Sequence, residues 1–143
     1  MSRAFFIIAV LAAGLASAQD IVQARQSGFK KMGAAMKVIA EQLKSDAPDL
    51  ARITSAAQTV SAGAHEQPSW FPSGSGRESG VETDALPYIW QDTAKFSALS
   101  SQLGVESGNF ATAVASNDIA AVRARFKILA DVCSTCHKSF RAD

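Results

Sequence analysis

The chain has 143 residues, enough for one domain and short for two. Apolar residues make up 48% and charged residues 19%, a globular balance that excludes a disordered or fibrous chain. Fourteen Lys and Arg against thirteen Asp and Glu leave a net charge of +1, which excludes the basic footprint of a nucleic-acid binder and an acidic solvating tail.

The first residues read as an address. A short basic start, Met1 to Arg3, precedes the apolar run Phe5 to Leu15, and Ala16-Ser17-Ala18 fits a small-x-small cleavage site. The competing reading is a membrane anchor, but Phe5 to Ala18 falls short of the roughly 20 residues needed to cross a bilayer, and polar sequence follows at once. Residues 1–18 are therefore expected to be a cleaved signal peptide and residues 19–143 the mature domain. It works outside the cytoplasm, in a bacterial periplasm, with no membrane attachment after cleavage.

Four helices follow. Val22, Phe29, Met32, Met36, Ile39 and Leu43 lie on one seam with steps of three and four once position 25 is counted. That position holds Arg25. Asp46-Ala47-Pro48 reads as the start of a second helix, with Asp46 as its cap, carrying Leu50, Ile53, Ala57, Val60 and Ala64. Between Glu66 and Ala85 the pattern stops, and Pro68, Pro72, Gly74, Gly76 and Gly80 mark a long loop of the kind that is functional or disordered. Pro87 opens a third helix through Ile89, Phe96, Leu99, Leu103, Phe110 and Val114, with a kink expected at Gly104 or Gly108. Ser116-Asn117-Asp118 is a turn and cap. In the last helix Ile119, Val122, Phe126, Leu129, Cys133, Cys136 and Phe140 alternate steps of three and four. The fold class is all-α, an antiparallel four-helix bundle.

Cys133-Ser134-Thr135-Cys136-His137 is a c-type haem attachment sequence. Two thiols spaced this way form thioether bonds to the two vinyl groups of one porphyrin, and the histidine directly after the second supplies the proximal nitrogen. A redox dithiol is the first rival, but that chemistry wants a βαβ context and the motif at a helix start. Zinc is the second; beyond the triplet only His65 remains as a nitrogen ligand, so a closed site would need a carboxylate. A plain disulfide is the third. The expected cofactor is one covalently attached haem c. Arg25, a guanidinium in an apolar stripe, then finds natural partners in the haem propionates, unless it snorkels to water. For the sixth position of the iron, Met32, Met36 and His65 are the available side chains, while Phe29, one turn before Met32, cannot ligate. The residues alone permit a methionine-ligated iron or an open site walled by Phe29.

With its motif at the C-terminus, Cys133 to Arg141, the chain resembles the class II c-type cytochromes, specifically cytochrome c′. The pieces Arg25-Gln26, Phe29, Met32-Gly33, Trp70-Phe71-Pro72, Ala85 to Trp90 and Lys95-Phe96 agree in order. The resemblance spans essentially the whole mature chain. It implies a haem near one end of the bundle and a homodimer joined through the first two helices. It also implies thioether bonds at Cys133 and Cys136, with His137 as the iron ligand. Arg25 and Gln26 match positions that approach a propionate, Arg141 a basic residue near the proximal histidine, and Thr83 the loop bordering the haem edge. Phe29 matches the non-ligating distal position, which low-spin relatives fill with methionine; Met32 matches a methionine of both subtypes and reads as packing.

The resemblance implies a five-coordinate haem that binds a diatomic gas. A phenylalanine restricts carbon monoxide and favours nitric oxide, and a wall without hydrogen-bond donors disfavours dioxygen. Electron transfer with an unidentified redox partner is the companion role, and a six-coordinate plain electron carrier the alternative. No distal acid–base pair is assigned, so no enzymatic activity is expected.

Overall fold

The computed structural model describes residues 4–142, with side chains from residue 17 onward. Five α-helices and two short 3-10 turns make up the chain: α1 (Ala4–Lys44), α2 (Leu50–Glu66), α3 (Tyr88–Gln91), α4 (Thr93–Ala115) and α5 (Ile119–Phe140). The all-α four-helix expectation holds, α3 being a single turn. The apolar run of the expected signal peptide lies outside the residues whose side chains are described. The backbone of α1 passes the expected cleavage site without a break. Among the described residues no helix is long and apolar enough to cross a membrane.

The local boundaries differ from the sequence reading in two places. The cap of α2 is Asp49, not Asp46: its carboxylate accepts from the backbone N–H of Ala51 and Arg52. Pro48 pushes the residue before it out of the helical region, so Asp49 becomes the first position from which a cap can act. The third helix is also not continuous from Pro87. Asp92 interrupts it with φ −116° and ψ 64°, and its side chain accepts from Lys95 N to start α4 afresh. Gly104 and Gly108, where a kink was expected, lie within one uninterrupted helix. Asp118 caps α5 as expected, after Asn117 at φ 57°.

The heptad-like seams bury Ile39, Ile53, Val60, Phe110, Val122 and Leu129 almost completely. Helix α1 packs on α2, α2 on α4, and α4 on α5. Helices α1 and α5 are tied together at one end of the bundle, where the Arg123 guanidinium donates to the carbonyls of Leu43 and Ser45 and so satisfies the last turn of α1. Toward the other end a cavity lies between them. The 67–87 loop and the C-terminal tail close that end. Leu86 N donates to Phe140 O, Ala142 N donates to Asp84 O, and Ala85 pairs with Arg141 in an isolated bridge.

Two glycines make opposite predictions. A Cβ at Gly28 would run into the Trp70 indole, which lies directly on α1 there. A Cβ at Gly108 would meet nothing within 4 Å. Gly108→Ala should therefore stabilise by about 0.5–1 kcal/mol through helix propensity. Gly28→Ala should destabilise by about 1–3 kcal/mol, because overpacking outweighs that gain. Urea melts of the two variants check the signs.

Candidate haem site

The cavity between α1 and α5 has a volume of about 580 Å³, within the range of cofactor pockets. Arg25, Gln26, Phe29, Thr83, Cys133, Cys136, His137 and Arg141 all line it. The eight residues named from sequence thus converge on one site, although they come from α1, the loop, α5 and the tail.

Helix α5 presents the attachment motif. Cys133 packs against the main core and Cys136 against the second apolar cluster of Ala85, Ile89 and Phe140. Both thiols are half-buried and unbonded to each other. Burial pushes both thiols above their ordinary pKa, and for Cys136 the neighbouring Cys133 adds to the effect. A redox dithiol needs the reverse, a thiolate stabilised at a helix N-terminus, whereas these lie in the final turns of α5. Among the described residues no group of three His, Cys, Asp or Glu could hold a metal ion, and His65 is exposed at the end of α2. Partial burial, and secondarily the Arg141 charge, lower the His137 pKa. The neutral imidazole that a metal requires is thereby favoured.

On the facing side, Arg25 does not snorkel. It is 3% exposed, and its guanidinium donates to Trp70 O, Ser75 O, Ser75 Oγ and Thr83 Oγ1 at 2.9–3.3 Å. It also lies 4.8 Å from the Phe71 ring centroid. Burial lowers its pKa and Glu78 partly restores it. Thr83, buried, accepts from both Arg25 and the N–H of Ala85. Gln26 is exposed, with Nε2 3.4 Å from Glu82 O. Arg141 pairs loosely with Asp84 at 3.6 Å, both side chains being open to water, so that pair contributes little to stability. Arg25 is therefore the structural hub of the loop as well as a cavity residue.

Phe29 stands half-buried on α1, edge-on to Trp70 at 5.1 Å between centroids and 6.0 Å from Phe71. Phe71, Phe96 and Phe140 continue the aromatic wall. Met32 is buried against the backbone of Gly63, where a Cβ would strike its thioether, and Met36 is half-buried at the core.

Gln67 and Ser100, both buried, also line the cavity and bond to one another. Helical periodicity did not find them because Gln67 begins the loop and Ser100 is a polar residue on a buried face. Ser75, 1% exposed, was missed too, since its role as an acceptor for Arg25 is set by a contact 50 positions away.

A mostly apolar cavity, two thiols and an imidazole on one helix and a buried cation opposite fit a porphyrin with its iron and acidic arms. These features define a covalent c-type haem protein of the four-helix-bundle kind. Comparison with known proteins then specifies the family. Residues 20–141 match the family model described as Cytochrome C′, and the chain belongs to that family. It is 35% identical over 139 residues to cytochrome c′ of Rhodopseudomonas palustris, covering 94% of this chain and 91% of that protein. It is 34% identical over 142 residues to cytochrome c-556 of Agrobacterium fabrum, covering 96% and 92%. The crystal structure of cytochrome c′ from Thermochromatium tepidum superposes with a TM-score of 0.82 at 26% identity, covering 88% of this chain and 97% of that one. As a member of the family the protein carries covalently attached haem c.

Proposed function

We propose that the protein is a periplasmic five-coordinate haem protein that binds a diatomic gas, nitric oxide or carbon monoxide, and takes part in electron transfer. Cys133 and Cys136 hold the haem through thioethers, and His137 is its iron ligand. Arg25 and Gln26 receive the propionates, with Thr83 and Arg141 at the haem edge. The observation that carries the five-coordinate reading is Phe29, whose ring on α1 lines the cavity beside Met32 and Met36 and has no donor atom. Met32, packed into Gly63, is already used in the core.

The alternative, a six-coordinate electron carrier, draws on Met36 or Met32, both of which line the same cavity. Optical spectra of the oxidised and reduced holoprotein separate the two. Broad high-spin bands and a nitrosyl spectrum at low gas concentration support the first reading, while sharp α and β bands in the reduced protein select the second.

Residues 1–18 direct export and are removed, and the mature chain pairs as a homodimer through α1 and α2. Mass spectrometry of the secreted form should give a chain starting at Gln19 plus one haem. Cys133→Ser should keep its pigment through the remaining thioether at Cys136 when treated with acid–acetone, and the Cys133→Ser, Cys136→Ser double variant should lose it fully; retention of covalent haem in the double variant would refute the attachment sites.

A further inference from the structure

Four hydroxyl side chains in the interiors of α2, α4 and α5 fold back onto their own helix. Thr54, Thr59, Thr112 and Thr135 each donate to the carbonyl four residues earlier. Ser100 does not. Its hydroxyl leaves the Phe96 carbonyl and donates to Oε1 of Gln67, 33 positions away. This bond fixes which end of the carboxamide faces α4: the oxygen is held there, so the amide nitrogen points away.

Gln67 is only 2% exposed, yet among the described residues no acceptor pairs with its Nε2. No fully enclosed polar side-chain atom lacks a partner, so this nitrogen must border open space, and the space that Gln67 lines is the cavity. An amide N–H pair turned into a mostly apolar cavity calls for an acceptor from whatever fills it.

The position narrows that acceptor. Gln67 lies between two contacts that bind its segment to α1. Gly63, one turn earlier, seats Met32, and Trp70, three residues later, seats Phe29. Gln67 therefore faces the Phe29–Met32 stretch, the side of the cavity away from the motif helix. The cationic group that suits a propionate, Arg25, is already supplied elsewhere on the lining.

We propose that Gln67, oriented by Ser100, is the hydrogen-bond donor of the gas-binding face, contacting the end of a diatomic ligand remote from the iron. This rests on the five-coordinate reading. It makes Gln67 a specificity-determining residue, because a ligand that gathers more negative charge on its outer atom gains more from the donor. Ser100 is a positioning residue that acts through Gln67.

The test is the ferrous carbonyl complex of the holoprotein, compared among the parent, Gln67→Met, Ser100→Ala and Phe29→Leu. Gln67→Met keeps the length of the side chain and removes the donor, and it frees Ser100 to bond to Phe96 O. Its C–O stretch should move to higher frequency, and carbon monoxide should dissociate about two- to tenfold faster, the worth of one hydrogen bond. Ser100→Ala should broaden or split the C–O band, since the amide loses its fixed orientation. An unchanged stretch and dissociation rate in Gln67→Met, alongside altered carbon monoxide kinetics in Phe29→Leu, overturns the role of Gln67 and leaves the gas-binding reading intact. A low-spin, six-coordinate parent protein before gas is added overturns both.

Discussion

Replacing Phe29 by methionine should convert the proposed five-coordinate, high-spin iron to six-coordinate low-spin. The ring occupies the α1 wall of the cavity beside Trp70 and Phe71. A methionine there brings an unbranched, flexible thioether into the same space, and thioether sulfur is an ordinary axial ligand for haem iron. The reduced protein should show sharp α and β bands in place of broad ones. If the thioether occupies the iron 99% of the time, only about one part in 100 remains open, and the apparent affinity for carbon monoxide falls about 100-fold.

Phe29→Leu provides the control. Leucine offers no ligand atom, so the iron should stay high-spin, and the smaller side chain should let carbon monoxide associate faster than in the parent. A Phe29→Met variant with the parent's spectrum and carbon monoxide kinetics would mean that Phe29 does not stand over the iron. The model of a gas-accessible face would then have to be abandoned, and Met36 would become the residue to replace next.

The helices were legible because their apolar residues recur with helical period and little else competes. The last seam, Ile119 to Phe140, is continuous, and Leu129 and Val122 are fully buried on it. The attachment motif was legible because its chemistry is local: thiols and imidazole lie within five consecutive residues. What the sequence withheld depends on contacts across the fold. Whether Arg25 reaches water or is enclosed is decided by Trp70, Ser75 and Thr83, none of them within 40 positions. The pairing of Gln67 with Ser100 joins a loop start to the middle of α4, and neither residue breaks a pattern in its own segment. The Asp92 break in the third helix was missed because an aspartate after one helical turn is also compatible with a continuous exposed face; only its bond to Lys95 N reveals a cap.

The same network sets the largest expected loss of stability. Arg25 crosses from α1 to the loop with four hydrogen bonds, two of them to backbone carbonyls of Trp70 and Ser75. A bond from a charged donor contributes about 1.5–3 kcal/mol, so simple addition would give an impossibly large total for one side chain. Part is returned because the guanidinium is itself costly to bury, as the direction of its pKa shift records. Ser75 Oγ and Thr83 Oγ1 also keep other partners, Pro72 O and Ala85 N. The net loss for Arg25→Leu should be about 3 kcal/mol, a drop of about 10 °C in melting temperature for a domain of this size. Arg25→Lys should recover only a fraction, because one ammonium cannot span acceptors arranged for a planar fork. The loop should also loosen before the bundle does. Arg77 lies inside it, with its own Nε only 3.4 Å from Thr83 O, so trypsin should cut after Arg77 faster in Arg25→Leu under native conditions. A variant that melts with the parent and is cut no faster would show that Trp70 on Gly28 and the Trp90 N–H on the Phe71 and Pro72 carbonyls hold the loop without Arg25.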